Sequence, residues 1–264
     1  MATGTGEPHE RPLLDVADLS VRFGGIVALD GLSFRVRAGE IAGIIGPNGA
    51  GKTTLFNCLS RLYRADRGRI DFDGRSLLAM RAHQVAALGI GRTFQNVALF
   101  RSLTVFENVL LGRHCRGRGG FLAAALRLPR VGRDEDEARA RGRELLRFLE
   151  LEKVADQAVA SLPFGTRTRI ELARALASGP RLLLLDEPAS GLNHEEVGAL
   201  GGLIRAIRDR IGVTILLVEH HMNLLMSVSD HVVALDFGRK IADGTPAEVR
   251  EHPDVVRAYL GSAA

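Results

Sequence analysis

Cysteine is scarce: Cys58 and Cys115 are the only two in 264 residues. Two thiols make neither a disulfide framework nor a zinc site, so a reducing compartment, the cytosol, is expected. Long apolar runs are also missing. No stretch approaches the roughly 20 apolar residues that cross a bilayer, and residues 1–11 are polar where a secretory leader needs an apolar core. Those eleven residues read as a disordered N-terminal tail. There is no dense Lys/Arg tract and no repeat of fixed period; 35 basic against 31 acidic residues leave a formal charge of +4. A nucleic-acid partner is therefore not expected. What remains is a chain that is 46% hydrophobic and 25% charged, the balance of an ordinary globular protein, which excludes disordered and fibrous classes.

Short apolar runs punctuated by glycine predict strands at 13–23, 32–36, 41–45 and 70–72. Further on, strands at 182–185, 213–218 and 232–235 alternate with helical patterns at 195–210 and 221–228. Such alternation implies a parallel sheet covered on both faces. Between these blocks, 95–162 shows helical character and no convincing strand, and reads as an inserted helical subdomain. Within it, 113–147 carries ten arginines, five acids and no lysine, so the excess positive charge is local. That segment reads as a solvated mixed-charge helix, with a surface for phospholipid headgroups or an acidic partner as the alternative.

Gly46, Pro47, Asn48, Gly49, Ala50, Gly51, Lys52 and Thr53 match the full P-loop pattern, placed between the strand at 41–45 and a helix at 54–62. Glycines let the backbone curl until successive N–H groups point into one concavity, and the following helix adds its positive end. A di- or triphosphate is bound there mostly by backbone. Lys52 is expected to reach the β- and γ-phosphates, Thr53 to ligate Mg²⁺, and Thr54 to sit among the nucleotide-binding residues. Such a site also needs an acid to hold the metal and a base to position water. Asp186 and Glu187, at the end of the run 182–185, supply both: Asp186 toward Mg²⁺ through its water shell, Glu187 toward the attacking water.

With these motifs in this order, 12–261 resembles the ATP-binding cassette subunits of ABC transporters. The resemblance implies an α/β P-loop NTPase fold: a mixed sheet core with an antiparallel β subdomain, from 12–94 and 163–261, and a helical subdomain at 95–162. It implies that Gln95 is the Q-loop glutamine, contacting Mg²⁺ and linking the nucleotide site to a membrane subunit. Residues 162–166 occupy the signature position, with Gly165 facing a phosphate of the opposite subunit; 188–193 match the D-loop. His220 matches the switch histidine that senses the γ-phosphate, preferred over His221 because it lies nearer the strand end. Phe23, 23 residues before Gly46, matches the aromatic that stacks on adenine. Taken singly, Gln95 reads as a structural loop residue and Phe23 as a core aromatic.

Two positions depart from the family pattern. Pro163 stands where a serine hydroxyl usually meets the γ-phosphate, and proline lacks even the backbone N–H. Asn193 replaces the usual D-loop aspartate. Because Lys52, Asp186 and Glu187 are intact, both read as variants of a working site, with Gly165 and the helix expected near Thr166 carrying the contact across the dimer.

Segments 92–106 and 187–193, the run Glu219, His220, His221, Met222, and the ending 236–260 are similar to the ATPases of branched-chain (hydrophobic) amino acid importers. That resemblance implies ATP and Mg²⁺ as cofactors. Its implied partners are integral membrane permease subunits, a second ATPase subunit in a homo- or heterodimer and, indirectly, a solute-binding protein. It places the chain peripherally at the cytoplasmic face of the cell membrane. The alternatives are a lipopolysaccharide-export ATPase and a soluble ABC ATPase of iron-sulfur assembly. Val97, Leu99 and Phe100 fall outside the helical period of Val105, Phe106, Val109 and Leu110, and are expected to form the contact with a short permease helix, Phe100 as its anchor.

Overall fold

The computed structural model describes residues 11–93, 99–113 and 129–260; the side chains of 129–134 and of Leu260 are outside the description. The expected tail therefore lies, but for Arg11, outside the described residues, as do Gln95, Val97 and Cys115.

A four-stranded antiparallel sheet, in the order β2-β1-β4-β5, forms from β1 (Leu14–Phe23), β2 (Ile26–Val36), β4 (Arg67–Phe72) and β5 (Arg75–Ser76). A six-stranded sheet, in the order β10-β9-β3-β8-β7-β6, combines β3 (Ile41–Ile45), β6 (Ile90–Arg92), β7 (Leu182–Asp186), β8 (Thr214–Val218), β9 (His231–Asp236) and β10 (Arg239–Gly244). All its pairings are parallel except β10 with β9. The mixed sheet and the antiparallel subdomain agree with expectation.

The continuous apolar runs of β3, β7, β8 and β9 follow from burial on both faces. Ile45, Leu183, Leu185, Ile215, Leu217 and Val232 face one core, while their neighbours Ile44, Leu182, Leu184, Leu216, Val218 and Val233 face another. The second core also takes the antiparallel sheet and α1 (Lys52–Leu59), through Leu55, Phe56 and Leu59.

Crossover helices between the parallel strands include α6 (His194–Ala206), continued by a π turn at Ile207–Ile211, and α7 (Met222–Val228). A parallel pair needs such a crossover. α2 (Ala82–Leu88) leads into β6, and the chain closes with α8 (Pro246–Glu251) and α9 (Pro253–Leu260).

The helical segment contains α3 (Val105–Leu111) and α4 (Pro129–Phe148), two 3-10 turns at Glu152–Val154 and Val159–Ser161, and then α5 (Phe164–Ala177). Among the described residues of 99–162, the one β-type pairing is the bridge Thr104–Ala158. Thr104 caps α3 by accepting from Glu107 N–H while the Glu107 carboxylate takes Thr104 N–H. Such a box is worth about 1 kcal/mol to a short helix. Asn108, wholly buried, then clamps the preceding loop: its Oδ1 accepts from Phe100 N–H at 2.9 Å and its Nδ2 donates to Phe100 O at 3.0 Å.

Candidate functional site

Every residue of the candidate site except Phe23, Gln95 and Gly165 lies in the loops just beyond β3, β7 and β8 or at the adjoining strand and helix ends, where parallel strands deliver backbone to one crevice. After β3 the chain turns at Gly46 with φ +155°, and a Cβ there would lie 2.3 Å from Leu235 O. Gly51, at φ +100°, would collide with Ala28 O at 2.5 Å. Only glycine fits at either position. Lys52 opens α1 and folds back over the loop, its Nζ donating to Gly46 O at 2.6 Å and Pro47 O at 3.0 Å. It is only 6% exposed, and burial lowers its pKa against the opposing pull of Glu187 and Asp186. Thr53 is exposed beside it and Thr54 half-buried.

Asp186 is the last residue of β7 and is buried. Burial pushes its pKa up, and the Arg92 guanidinium is the main opposing influence, with Lys52 assisting. Glu187 follows in a left-handed conformation, φ +48°, which a non-glycine residue adopts only under constraint. That constraint is visible in the Glu187 N–H donating to Val218 O at 2.9 Å. Beyond β8, His220 Nδ1 lies 3.7 Å from Glu187 Oε2. Lys52, Asp186, Glu187 and His220 thus converge from three segments: a buried cation, two carboxylates and an imidazole beside a glycine-walled concavity. This donor set fits a polyphosphate and the oxygen ligands of a divalent cation.

A family profile described as "ABC transporter" matches residues 29–190. The chain belongs to the ABC transporter family. A second profile, described as "Branched-chain amino acid ATP-binding cassette transporter", matches residues 239–264 of this cassette. The high-affinity branched-chain amino acid transport ATP-binding protein BraF of Pseudomonas aeruginosa is 43% identical over 96% of this chain and 99% of its own length. Among solved structures, the ADP conformation of MJ1267, an ATP-binding cassette of an ABC transporter, superposes with TM-score 0.83 at 30% identity, covering 95% of this chain and 99% of that one. The dimeric post-hydrolysis state of the cassette MJ0796, bound to ADP and Pi, gives 0.74 at 25% identity over 88% and 98%.

Of the other expected site residues, Gln95 lies outside the described residues, and Phe23 and Gly165 are not among the groups that converge. Phe23 ends β1 with its ring 45% exposed and edge-on to Tyr63, the centroids 5.1 Å apart. Gly165 is not ahead of its helix: α5 begins at Phe164, with Pro163 as N-cap. The expected start near Thr166 is corrected because proline's fixed φ suits the helix entrance and its missing N–H costs nothing there. Gly165 thereby falls in the first turn, next to Glu196 and Leu192. Asn193 caps α6, accepting from Glu196 N–H at 3.0 Å while Glu196 takes its own N–H.

Sequence reasoning missed three residues. Arg92 donates to Asp186 Oδ2 at 2.9 Å from a buried position and, through its other amino group, to Phe56 O, Asn57 Oδ1 and Ser60 Oγ. It ties the Asp186 carboxylate to the C-terminal end of α1. Glu219, 1% exposed, accepts from Ala189 N–H at 2.7 Å and from the N–H groups of His220 and His221, and lies 3.3 Å from His221 Nδ1. It engages His221 while His220 faces Glu187. Tyr259 of α9 accepts from Gly46 N–H at 2.9 Å. Their one sequence signal was a charged or polar residue inside or beside an apolar run.

A groove of about 530 Å³ runs between the core and the helical segment, lined by Leu62, Val85, Ile90, Arg92, Phe100 and Leu111, among others. Phe100 projects there, 57% exposed. Leu99 does not: it is buried in the core with Val105 and Val109, which corrects its expected place in the contact.

Proposed function

We propose that the chain is the ATP-hydrolysing subunit of an importer for branched-chain amino acids. The observation that carries this reading is near-full-length identity of 43% to BraF in a chain where Lys52, Asp186, Glu187 and His220 converge. The amino acid itself meets the permease and the solute-binding protein, so none of this chain's residues is assigned to it.

The loop 46–51 holds the phosphates by backbone N–H groups, and Lys52 turns from the Gly46 and Pro47 carbonyls onto them. The Thr53 hydroxyl, Asp186 and Gln95 hold Mg²⁺, which when bound offsets the phosphate charge; a hydroxyl and carboxylate are the hard oxygen donors it prefers. Glu187 orients the attacking water and accepts its proton, with His220 close enough to report the γ-phosphate. Phe23 provides a stacking face for adenine. Gly165 and the N-terminal end of α5 face the phosphates of a second ATPase subunit, either another copy or a similar chain. The γ-phosphate closes that pair, and its loss on hydrolysis reopens it. The nucleotide core comprises 12–94 and 163–261, and 95–162 form the helical arm whose groove receives a permease helix. On this reading the chain sits peripherally at the cytoplasmic face of the membrane. Among the described residues no helix is long and apolar enough to cross it.

The test is copurification from membranes, identification of the partners, and uptake of labelled leucine by the reconstituted complex. ATP-dependent uptake is expected. Copurification with soluble scaffold proteins, or with permeases that move no amino acid, would overturn the reading.

A further inference from the structure

The C-terminal helix reaches the phosphate-binding loop. α9 docks through buried Val255 and half-buried Tyr259 against the core that also holds Ile241 and Ala242 of β10. From there Tyr259 Oη accepts the Gly46 N–H at 2.9 Å. Gly46 lies one residue beyond the paired part of β3, so its N–H has left the ladder that ends with Ile45 opposite Ala234. The far side of the loop is braced separately, by Gly238 N–H donating to Ala50 O at 3.1 Å. Tyr259 and Gly238 therefore hold the two ends of the glycine turn from the same C-terminal part of the chain.

We propose that Tyr259 is a positioning residue for nucleotide binding: by fixing Gly46 it aims the N–H groups that follow before the phosphates arrive. This rests on the nucleotide reading given above. A loop of several glycines has many conformations to lose on binding, and a loop already held loses fewer. The bond is made to backbone by a ring whose stem is packed, so little freedom is spent in keeping it. Burial pushes the phenol pKa up against the pull of the Gly46 N–H, so the hydroxyl is neutral at physiological pH and a phenylalanine replacement removes one uncharged group. Coupling of this kind is reciprocal: if the helix favours nucleotide, nucleotide favours the docked helix. The segment that supplies Tyr259 lies within 239–264, outside the 29–190 match of the general transporter profile. The brace is thus contributed by the part of the chain that resembles the branched-chain group specifically.

The experiment compares the unsubstituted chain with Tyr259→Phe, using ADP and ATP in titration calorimetry and hydrogen exchange of the nucleotide-free and ADP-bound proteins. One net hydrogen bond of preorganisation corresponds to about three- to tenfold weaker binding, equal for both nucleotides because both use the same loop. Exchange at 46–51 should be faster in the variant. In the unsubstituted chain, ADP should slow exchange across 253–260. Unchanged affinity together with unchanged exchange at 46–51 would overturn the proposal, as would a lowered melting temperature with unaltered affinity. Should Tyr259→Phe fail to fold, the ADP effect on 253–260 in the unsubstituted chain decides. If the unsubstituted chain binds no nucleotide, it is the broader reading that fails.

Discussion

Replacing Arg92 by methionine keeps an unbranched apolar stem and deletes the guanidinium. Asp186 would then remain 3% exposed with its counter-ion gone, while Phe56 O, Asn57 Oδ1 and Ser60 Oγ each lose a donor. Removing one member of a buried pair costs about 3–5 kcal/mol, far more than the pair contributes relative to two apolar groups, because the orphaned charge stays desolvated. At roughly 2–4 °C per kcal/mol for a domain of this size, Arg92→Met should lower the melting temperature by about 6–20 °C. Asp186→Asn alone leaves Arg92 buried without its carboxylate and should also destabilise. The double variant Arg92→Met/Asp186→Asn removes both charges, so the two costs should overlap by about 1–3 kcal/mol. Thermal and denaturant unfolding of the nucleotide-free proteins measure all four corners of the cycle. An Arg92→Met protein melting within 2 °C of the parent, or strictly additive losses, would refute the argument.

Phe100→Glu should leave melting unchanged within about 0.5 kcal/mol, because the ring is largely exposed and the Phe100 backbone is held by Asn108. It should abolish permease copurification; a collapsed fold would show that the ring is part of the core. Cys58 tests burial through pH: desolvation pushes its thiol up to about 11, so thiolate forms only as pH approaches that value. In a Cys115→Ser background at pH 8 the thiolate fraction is about one in a thousand, so iodoacetamide should label the native protein slowly and the denatured one fast. Rapid native labelling would contradict the buried placement.

How much was legible in the sequence depended on how far each feature reached along the chain. The P-loop is eight consecutive residues whose geometry comes from their own glycines, and Asp186 and Glu187 follow directly from an apolar strand. Their positions needed no tertiary knowledge. The strand expected at 32–36 is the second half of β2; its first half was hidden by Gly31, at φ +68°, and by register shifts along β1. Arg92, Glu219 and Tyr259 were out of reach because their partners lie 94, 30 and 213 residues away. Nothing local marks an arginine as the counter-ion of a distant aspartate. Leu99 failed for a different reason: apolar residues outside one helix's period can still be buried by a neighbouring element, as the core around Val105 and Val109 does here. α5 starts ahead of the expected Thr166 because proline, with its fixed φ, suits a helix entrance.

The proposed function requires Glu187 to activate water against an ATP held by the loop 46–51. The direct measurement is single-turnover phosphate release by Glu187→Gln, with ATP affinity determined on the same preparation. Gln keeps the shape and removes the base, so release should fall by about 10²–10⁴ while the affinity stays within a few-fold of the parent. Release at the parental rate, or loss of ATP binding altogether, would contradict it.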